Sequence, residues 1–242
     1  MRNYKVETER RVRFISDVLD YACINGIVYG NSGGKDSALV GILCKMACDD
    51  TVGLIMPCGS KQNYESDKSD AEAVAKQFDI FIRVVDLSDA KNLLIKAVGE
   101  AAQLTEAATA NISPRLRMTA LYAVAASENR LVAGTGNRSE GYMGYFTKWG
   151  DGAFDFNPIA DLTVTEIYEF LRHLGAPDSI ISKAPSAGLF DGQTDETEMG
   201  VTYKSIDNFL FTGSTLKDDE AVIEKFHKLS EHKRKLPIVY GG

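Results

Sequence analysis

The 242-residue sequence predicts an α/β fold, a doubly wound parallel sheet in a single domain (residues 1–242) with a helical C-terminal portion. Three observations predict it. Short apolar runs alternate with helical stretches through the first half of the chain, the pattern of βαβ units whose sheet is covered on both faces. The first apolar run ends in a glycine-rich turn that leads straight into another apolar stretch. Beyond about residue 135 the strand pattern stops, and loops and helices remain.

Val12, Ile15, Leu19 and Ala22 recur at helical spacing between Arg10, Arg11, Arg13 and Asp17, so the chain opens on an amphipathic helix. Ile27-Val28-Tyr29 is the first strand. Residues 38–43 run without a breaker and read as a buried helix. Residues 52–56 form the second strand, ended by Pro57. Residues 71–78 are helical, 80–85 are a third strand rich in β-branched residues, and 90–104 are another helix. A helix follows Pro114 to about Ser127, and Leu131-Val132-Ala133 is the fourth strand. Crossovers between parallel strands are right-handed. Thr163 and Glu166 form a capping box that opens a helix to Leu174, with Gly175 as its stop. Residues 217–233 make the last helix, acidic at its start and basic at its end, as the helix dipole favours.

Hydrophobic residues at 44% and charged residues at 25% exclude a disordered, collagen-like or coiled-coil chain. A net charge of −7 argues against a protein that coats nucleic acid. Cys23, Cys44, Cys48 and Cys58 form no C-x-x-C pair, and His173, His227 and His232 have no zinc spacing. No apolar run approaches the ~20 residues of a membrane span, and Met1-Arg2 leads into a charged stretch, so a soluble cytoplasmic protein is expected.

The loop Gly30-Asn31-Ser32-Gly33-Gly34-Lys35-Asp36-Ser37 joins the first strand to the buried helix. Glycines let the backbone approach a ligand, and the helix N-terminus offers N–H groups and positive dipole to phosphate. Ser32, Ser37 and Lys35 add donors. Lys35 is followed by Asp36, so this is not a Walker A loop. A carboxylate among phosphates needs a cation between them, which makes Asp36 a magnesium ligand. The plainer reading is a glycine turn capped by Asp36 or Ser37.

The full S-G-G-K-D-S resembles the PP-loop of the ATP pyrophosphatases, enzymes of adenine nucleotide alpha hydrolase-like fold that cleave ATP to AMP and pyrophosphate. Later pieces resemble the NAD synthetase family. They are N-I-S-P-R-L-R-M (111–118), G-T-G-N-R-S-E (134–140), G-Y-F-T-K-W-G-D-G (144–152), K-A-P-S-A-G-L (183–189), G-Q-T-D-E (192–196) and H-K-R (232–234). The resemblance implies ligation of ammonia to deamido-NAD through an acyl-adenylate, with ATP as co-substrate and Mg²⁺ as cofactor. It places Gly30, Asn31, Ser32, Gly33, Gly34, Lys35, Asp36, Ser37, Thr135 and Ser186 at ATP. Asp36 and Glu140 fall on magnesium and the catalytic step. Arg115, Lys148, Asp155, His232 and Lys233 fall at deamido-NAD. It also implies a homodimer, to which Leu116, Ala120, Ala123 and Ser127, sharing one helix face, add modest support. Packing of that face on the sheet is the other reading.

Taken as bare sequence, Glu140 reads sooner as a solvated loop carboxylate and 232–234 as a basic helix end, and Ser186 can be a turn serine. Tyr142, Tyr145, Phe146 and Trp149 can stack on a base or fill a core. Val164 stands where many relatives carry an ATP-contacting lysine, so Lys35 or Lys183 substitutes or ATP is held less tightly. Glutamine-using relatives carry a further glutaminase domain, for which the pattern leaves no room. Free ammonia, or ammonia from a separate glutaminase, is therefore the expected donor. The alternatives are another PP-loop ligase, such as a GMP synthetase ATPase subunit, and a non-catalytic nucleotide sensor.

Overall fold

The computed structural model describes residues 2–59, 64–182 and 195–240. Four strands, β1 (Gly26–Gly30), β2 (Thr51–Ile55), β3 (Phe81–Val84) and β4 (Arg130–Ala133), form a parallel sheet in the order β3-β2-β1-β4. Ahead of them runs α1 (Tyr4–Ala22). Helix α2 (Lys35–Ala47) connects β1 to β2, and α3 (Tyr64–Gln77) precedes β3. Three helices, α4 (Ser88–Gly99), α5 (Glu106–Ala110) and α6 (Ile112–Glu128), carry the chain back across to β4.

The central strands are continuous apolar runs because helices cover both faces. On one face Ile15 and Leu19 of α1, Leu39, Ile42 and Leu43 of α2, and Val74 and Ala75 of α3 pack with Ile167, Phe170 and Leu171 of α8 (Val164–Leu174) over Ile27 and Tyr29. On the other face Leu121, Val124 and Ala125 of α6 cover Val28, Val52, Leu54 and Val132. Each such fully buried side chain contributes about 1.5–3 kcal/mol. The strand order reverses between β1 and β4, so the loops leaving their carboxyl ends diverge there. That is the place where open α/β sheets bind ligands.

Past β4 come α7 (Arg138–Met143), α8, α9 (Asp178–Ile181), α10 (Asp195–Met199), α11 (Tyr203–Thr212), α12 (Lys217–Leu229) and α13 (Glu231–Arg234). Met143, Val164, Met199, Tyr203, Ile206 and Ile223 form a second apolar cluster among them. The expected capping box is present, with Thr163 accepting from the Glu166 N–H and the Glu166 side chain accepting from the Thr163 N–H. Gly175, at φ 70°, ends α8.

Several expectations need correction. The helix expected over 90–104 stops at Gly99, and Thr105 caps a separate helix by accepting from the Ala108 N–H. The last helix breaks at Ser230, a largely buried residue whose hydroxyl donates to the Phe226 and Met143 carbonyls and draws the chain onto the end of α7. The third strand is an edge strand with Phe81 and Val84 exposed, so the sheet is not covered throughout. The short helices α5, α7, α9, α10 and α11 escaped the periodicity reading. On the expected contact face of α6, Ala123 and Ser127 are exposed, whereas Ala120 packs on the sheet. All four cysteines are free; Cys44 is buried in the main core, and burial pushes its thiol pKa up.

Candidate active site

The loop after β1 builds itself from short-range bonds. The Asn31 side chain accepts from the Gly33 N–H at 3.4 Å, and Ser32 Oγ accepts from the Gly34 N–H at 3.3 Å. Ser37 donates to the Gly34 carbonyl at 3.0 Å, and its hydroxyl lies 3.1 Å from that of Ser32. Gly33 has φ +74°, and a Cβ there would sit 2.0 Å from the Asp67 carbonyl oxygen of α3. A glycine is required at that position by both conformation and space.

Asp36, in the first turn of α2, meets the loop after β4. The Asn137 side chain donates to Asp36 Oδ1 at 3.1 Å and accepts from the Glu140 N–H at 2.9 Å. Glu140 in return accepts from the Asn137 N–H, which completes a capping box on α7. One asparagine thus ties the two carboxylates predicted as metal ligands into one cluster. Lys35, buried, donates to Asp36 Oδ2 at 2.8 Å and lies 5.7 Å from the centre of the Tyr203 ring.

Electrostatics follow from that crowding. Burial first, and the Asp36 charge second, push the Glu140 pKa well above the ordinary carboxylate range, although Lys35 opposes them. Burial works against the charge on Lys35, but Asp36 and Glu140 outweigh it and hold its pKa above the usual lysine value. Tyr203 donates to Asp195 at 3.0 Å, and burial with the nearby carboxylates keeps it neutral.

Two carboxylates sharing one lysine leave a site that a cation would neutralise. Among the described residues no group of three or more His, Cys, Asp or Glu side chains could hold a metal unaided. The Asp36–Glu140 pair beside the glycine-rich loop is a donor set that fits magnesium, which is bound by one or two carboxylates together with substrate phosphates and water.

A second group lies around the loop after α7. Arg115 donates to the Lys148 carbonyl at 3.4 Å, and Lys148 donates to the His232 carbonyl at 2.7 Å. Lys233 donates to the carbonyls of Gly144 and Phe146 at 2.8 and 2.7 Å. Four of the five residues expected at the dinucleotide therefore converge. Asp155 stands apart: it accepts from the Val132 N–H at 2.7 Å and from the Tyr122 hydroxyl at 3.2 Å, on the β4 side. Thr135 lies two residues past β4, and among the described residues its hydroxyl has no partner. Ser186 and Lys183 lie outside the described residues. Val164 is buried in the second apolar cluster and brings no charge, and Lys35 is engaged by Asp36.

Of the four aromatics in this stretch, Tyr142 stacks on His227 at 3.9 Å and Tyr145 donates to Glu198, whereas Trp149 is 52% exposed. Sequence reasoning missed Asn137, Asp195 and Tyr203. The N-x-x-E spacing from Asn137 to Glu140 is the capping signal that pointed to the first. Asp195 lies inside the quoted G-Q-T-D-E, and nothing local marked Tyr203.

Comparison with known proteins agrees with this geometry. The NAD synthase family profile matches residues 7–237. The chain is 45% identical to the NH(3)-dependent NAD(+) synthetase of Carboxydothermus hydrogenoformans over 240 residues, covering 98% of each chain. Among solved structures, NMN synthetase from Francisella tularensis superposes with a TM-score of 0.94 at 36% identity, covering 100% of both chains. The NH3-dependent NAD synthetase of Campylobacter jejuni, solved with a nitrate ion, superposes at 0.82 and 28% identity over 99% of this chain and 100% of that one.

Proposed function

The chain belongs to the NAD synthase family, and from that premise we propose how its geometry performs the ligation of ammonia to a nicotinate-bearing nucleotide at the expense of ATP. A carboxylate is a poor electrophile because oxide would have to leave. The carboxylate oxygen attacks the α-phosphorus of ATP, pyrophosphate departs, and an acyl-adenylate forms. Ammonia then attacks the acyl carbon, and AMP leaves with the bond to its oxygen broken. The product is the amide, NAD when the substrate is deamido-NAD.

The observation that carries this reading is the Asp36–Asn137–Glu140 cluster at the strand-order reversal, beside the glycine-rich loop. The loop N–H groups and the N-terminus of α2 face the charge that gathers on leaving pyrophosphate. Asp36 and Glu140 would hold Mg²⁺, which when bound neutralises phosphate charge as a Lewis acid. Lys35 orients Asp36 through their 2.8 Å hydrogen bond. Gly30, Asn31, Ser32, Gly33, Gly34, Lys35, Asp36, Ser37, Thr135 and Ser186 are the ATP contacts of this reading. Arg115, Lys148, His232 and Lys233 receive the anionic part of the pyridine nucleotide, and Asp155 is the fifth contact to it in this reading. Holding two nucleotides in reacting geometry supplies much of the rate.

The names of the curated relatives support free ammonia as donor, and the cytoplasm is the location we propose. A homodimer is the assembly we propose, with the exposed Ala123 and Ser127 flank of α6 toward the twin, giving an isologous interface. A stable monomer in light scattering, with full activity per chain on dilution, would refute it.

The Francisella likeness supports a second reading of the substrate, since an NMN synthetase makes the mononucleotide amide. Nicotinate mononucleotide carries the same reacting carboxylate without the adenylyl half. Measuring AMP release with each substrate in turn, at saturating ATP, magnesium and ammonium, decides between them. The higher kcat/KM names the substrate, and turnover with neither removes the whole reading.

A further inference from the structure

At the same edge of the sheet, one guanidinium faces no carboxylate at ion-pair distance among the described residues. Arg117 lies in the second turn of α6, and its Nε donates to the Met56 carbonyl at the exit of β2, 3.1 Å away. Arg2 and Arg11 meet Asp161, Arg83 meets Glu128 and Arg130 meets Asp50, whereas Arg117, like Arg138 on the Leu210 carbonyl, bonds backbone instead. No carboxylate among the described residues comes within ion-pair distance of Arg117; Asp67 and Asp151 are near enough only to act on its charge. Burial pushes its pKa below the usual value, but a guanidinium does not give up its proton in a protein. A half-buried guanidinium that faces a backbone carbonyl, and no carboxylate among the described residues, keeps donors to offer an anionic ligand.

Its surroundings narrow the ligand. Asp67, on one side, presses its carbonyl against Gly33 of the glycine-rich loop. On the other side the 147–152 turn packs on Arg117's own helix, with Gly150 against Pro114, and Asp151 of that turn senses both Arg117 and Lys233. Arg117 therefore stands between the proposed phosphate loop and the Arg115–Lys148–Lys233 group.

We infer that Arg117 is a further substrate-binding residue, whose guanidinium takes a pair of anionic phosphate oxygens from one of the two nucleotides. The planar fork suits two oxygens at once, which a lysine cannot reproduce. The inference rests on the proposed ligase reading and adds a residue to it. Phosphate is the shared chemistry, and the source is either ATP or the pyridine nucleotide.

Two variants test it. Arg117→Lys keeps the charge and a donor for Met56 but loses the fork, and Arg117→Met keeps bulk without charge. Calorimetric titration with Mg-ATP, with deamido-NAD and with nicotinate mononucleotide gives separate dissociation constants, and thermal melts accompany them. The expected result is a loss of at least tenfold for Arg117→Lys and more for Arg117→Met, confined to one nucleotide class, with Arg117→Lys melting close to the wild type. Weakened Mg-ATP assigns the ATP phosphates; weakened pyridine nucleotides assign theirs. Binding of every nucleotide within twofold of wild type would overturn the inference and leave Arg117 a prop for the β2 exit. A wild-type protein that binds neither nucleotide would instead overturn the ligase reading, and this inference with it.

Discussion

Replacing Gly33 by alanine should separate a requirement of the glycine-rich loop from a mere preference. Gly33 sits at φ +74°, where an L residue pays about 1–2 kcal/mol. Its new Cβ would meet the Asp67 carbonyl oxygen at 2.0 Å, against an ordinary contact of 3.4 Å or more. The obstacle is helix backbone, so loop and α3 must part by roughly 1.4 Å, and misplacement on the order of 1 Å costs about 10²-fold in rate. Gly34 is the internal control. Its φ of −94° is open to any residue, and its Cβ would have only Ser32 Oγ nearby, at 3.4 Å. AMP release with ATP varied should show kcat/KM down about 10²-fold in Gly33→Ala and within about threefold of wild type in Gly34→Ala. At ~2–4 °C per kcal/mol for a chain this size, the backbone strain should lower Tm by roughly 2–8 °C in the former. Equal activity of Gly33→Ala and wild type, or equal damage in both variants, would refute the reasoning.

Asp36→Asn keeps the shape of the turn and should remain folded, yet lose about 10²-fold or more in turnover, the scale of one preorganised electrostatic element; near-normal activity at saturating magnesium would remove Asp36 from the metal. Cys44→Ser, Cys48→Ser and the double variant should retain ammonia-dependent activity, with a stability cost of about 1–3 kcal/mol for an unpaired buried hydroxyl at Cys44, read by denaturant titration. A folded variant that loses chemistry would reveal a thiol mechanism. Burial opposes the charge of Asp161, but its bonds to Arg11 and the charges of Arg11 and Arg2 outweigh that and lower its pKa. The unfolded chain then binds the proton more tightly. The stabilisation is complete above the unfolded value of about 3.9 and is lost as pH falls through the folded one. Melts from pH 7 to pH 3 should show a shallower acid decline in Asp161→Asn than in wild type, and parallel curves would refute the assignment.

How much of this was legible depended on whether the determinant was local. The strands were readable because Ile27-Val28-Tyr29 and 52–55 are apolar runs bounded by breakers, and buried strands need no alternation. Thr163, Glu166 and Gly175 marked both ends of α8 because capping is a matter of a few neighbours. Ser230 shows the opposite case. A serine alone does not announce a stop in the run from Lys217 to Lys233; the break combines its bond to the Phe226 carbonyl with a contact to α7 some 87 residues earlier in the chain. The site divides the same way. Loop residues 30–37, Glu140 and Arg117 sit in quoted motifs, whereas Tyr203 acquires meaning only from tertiary neighbours. Of the pairing of Asp36 with Glu140 the motifs carried only an expectation. Asn137 makes it a geometry, bridging loops that are 101 residues apart at the Asp36 contact.

The central claim is that the cluster beside the glycine-rich loop couples ATP cleavage at the α-phosphorus to amide formation on a nicotinate-bearing nucleotide. The most direct measurement incubates purified protein with ATP, magnesium and ammonium, with and without deamido-NAD or nicotinate mononucleotide, and quantifies AMP, pyrophosphate, ADP and the amide by chromatography. The account predicts AMP, pyrophosphate and amide in equal amounts, and only when a pyridine nucleotide is present. Release of ADP, or AMP formation that is indifferent to the pyridine nucleotide, would contradict it.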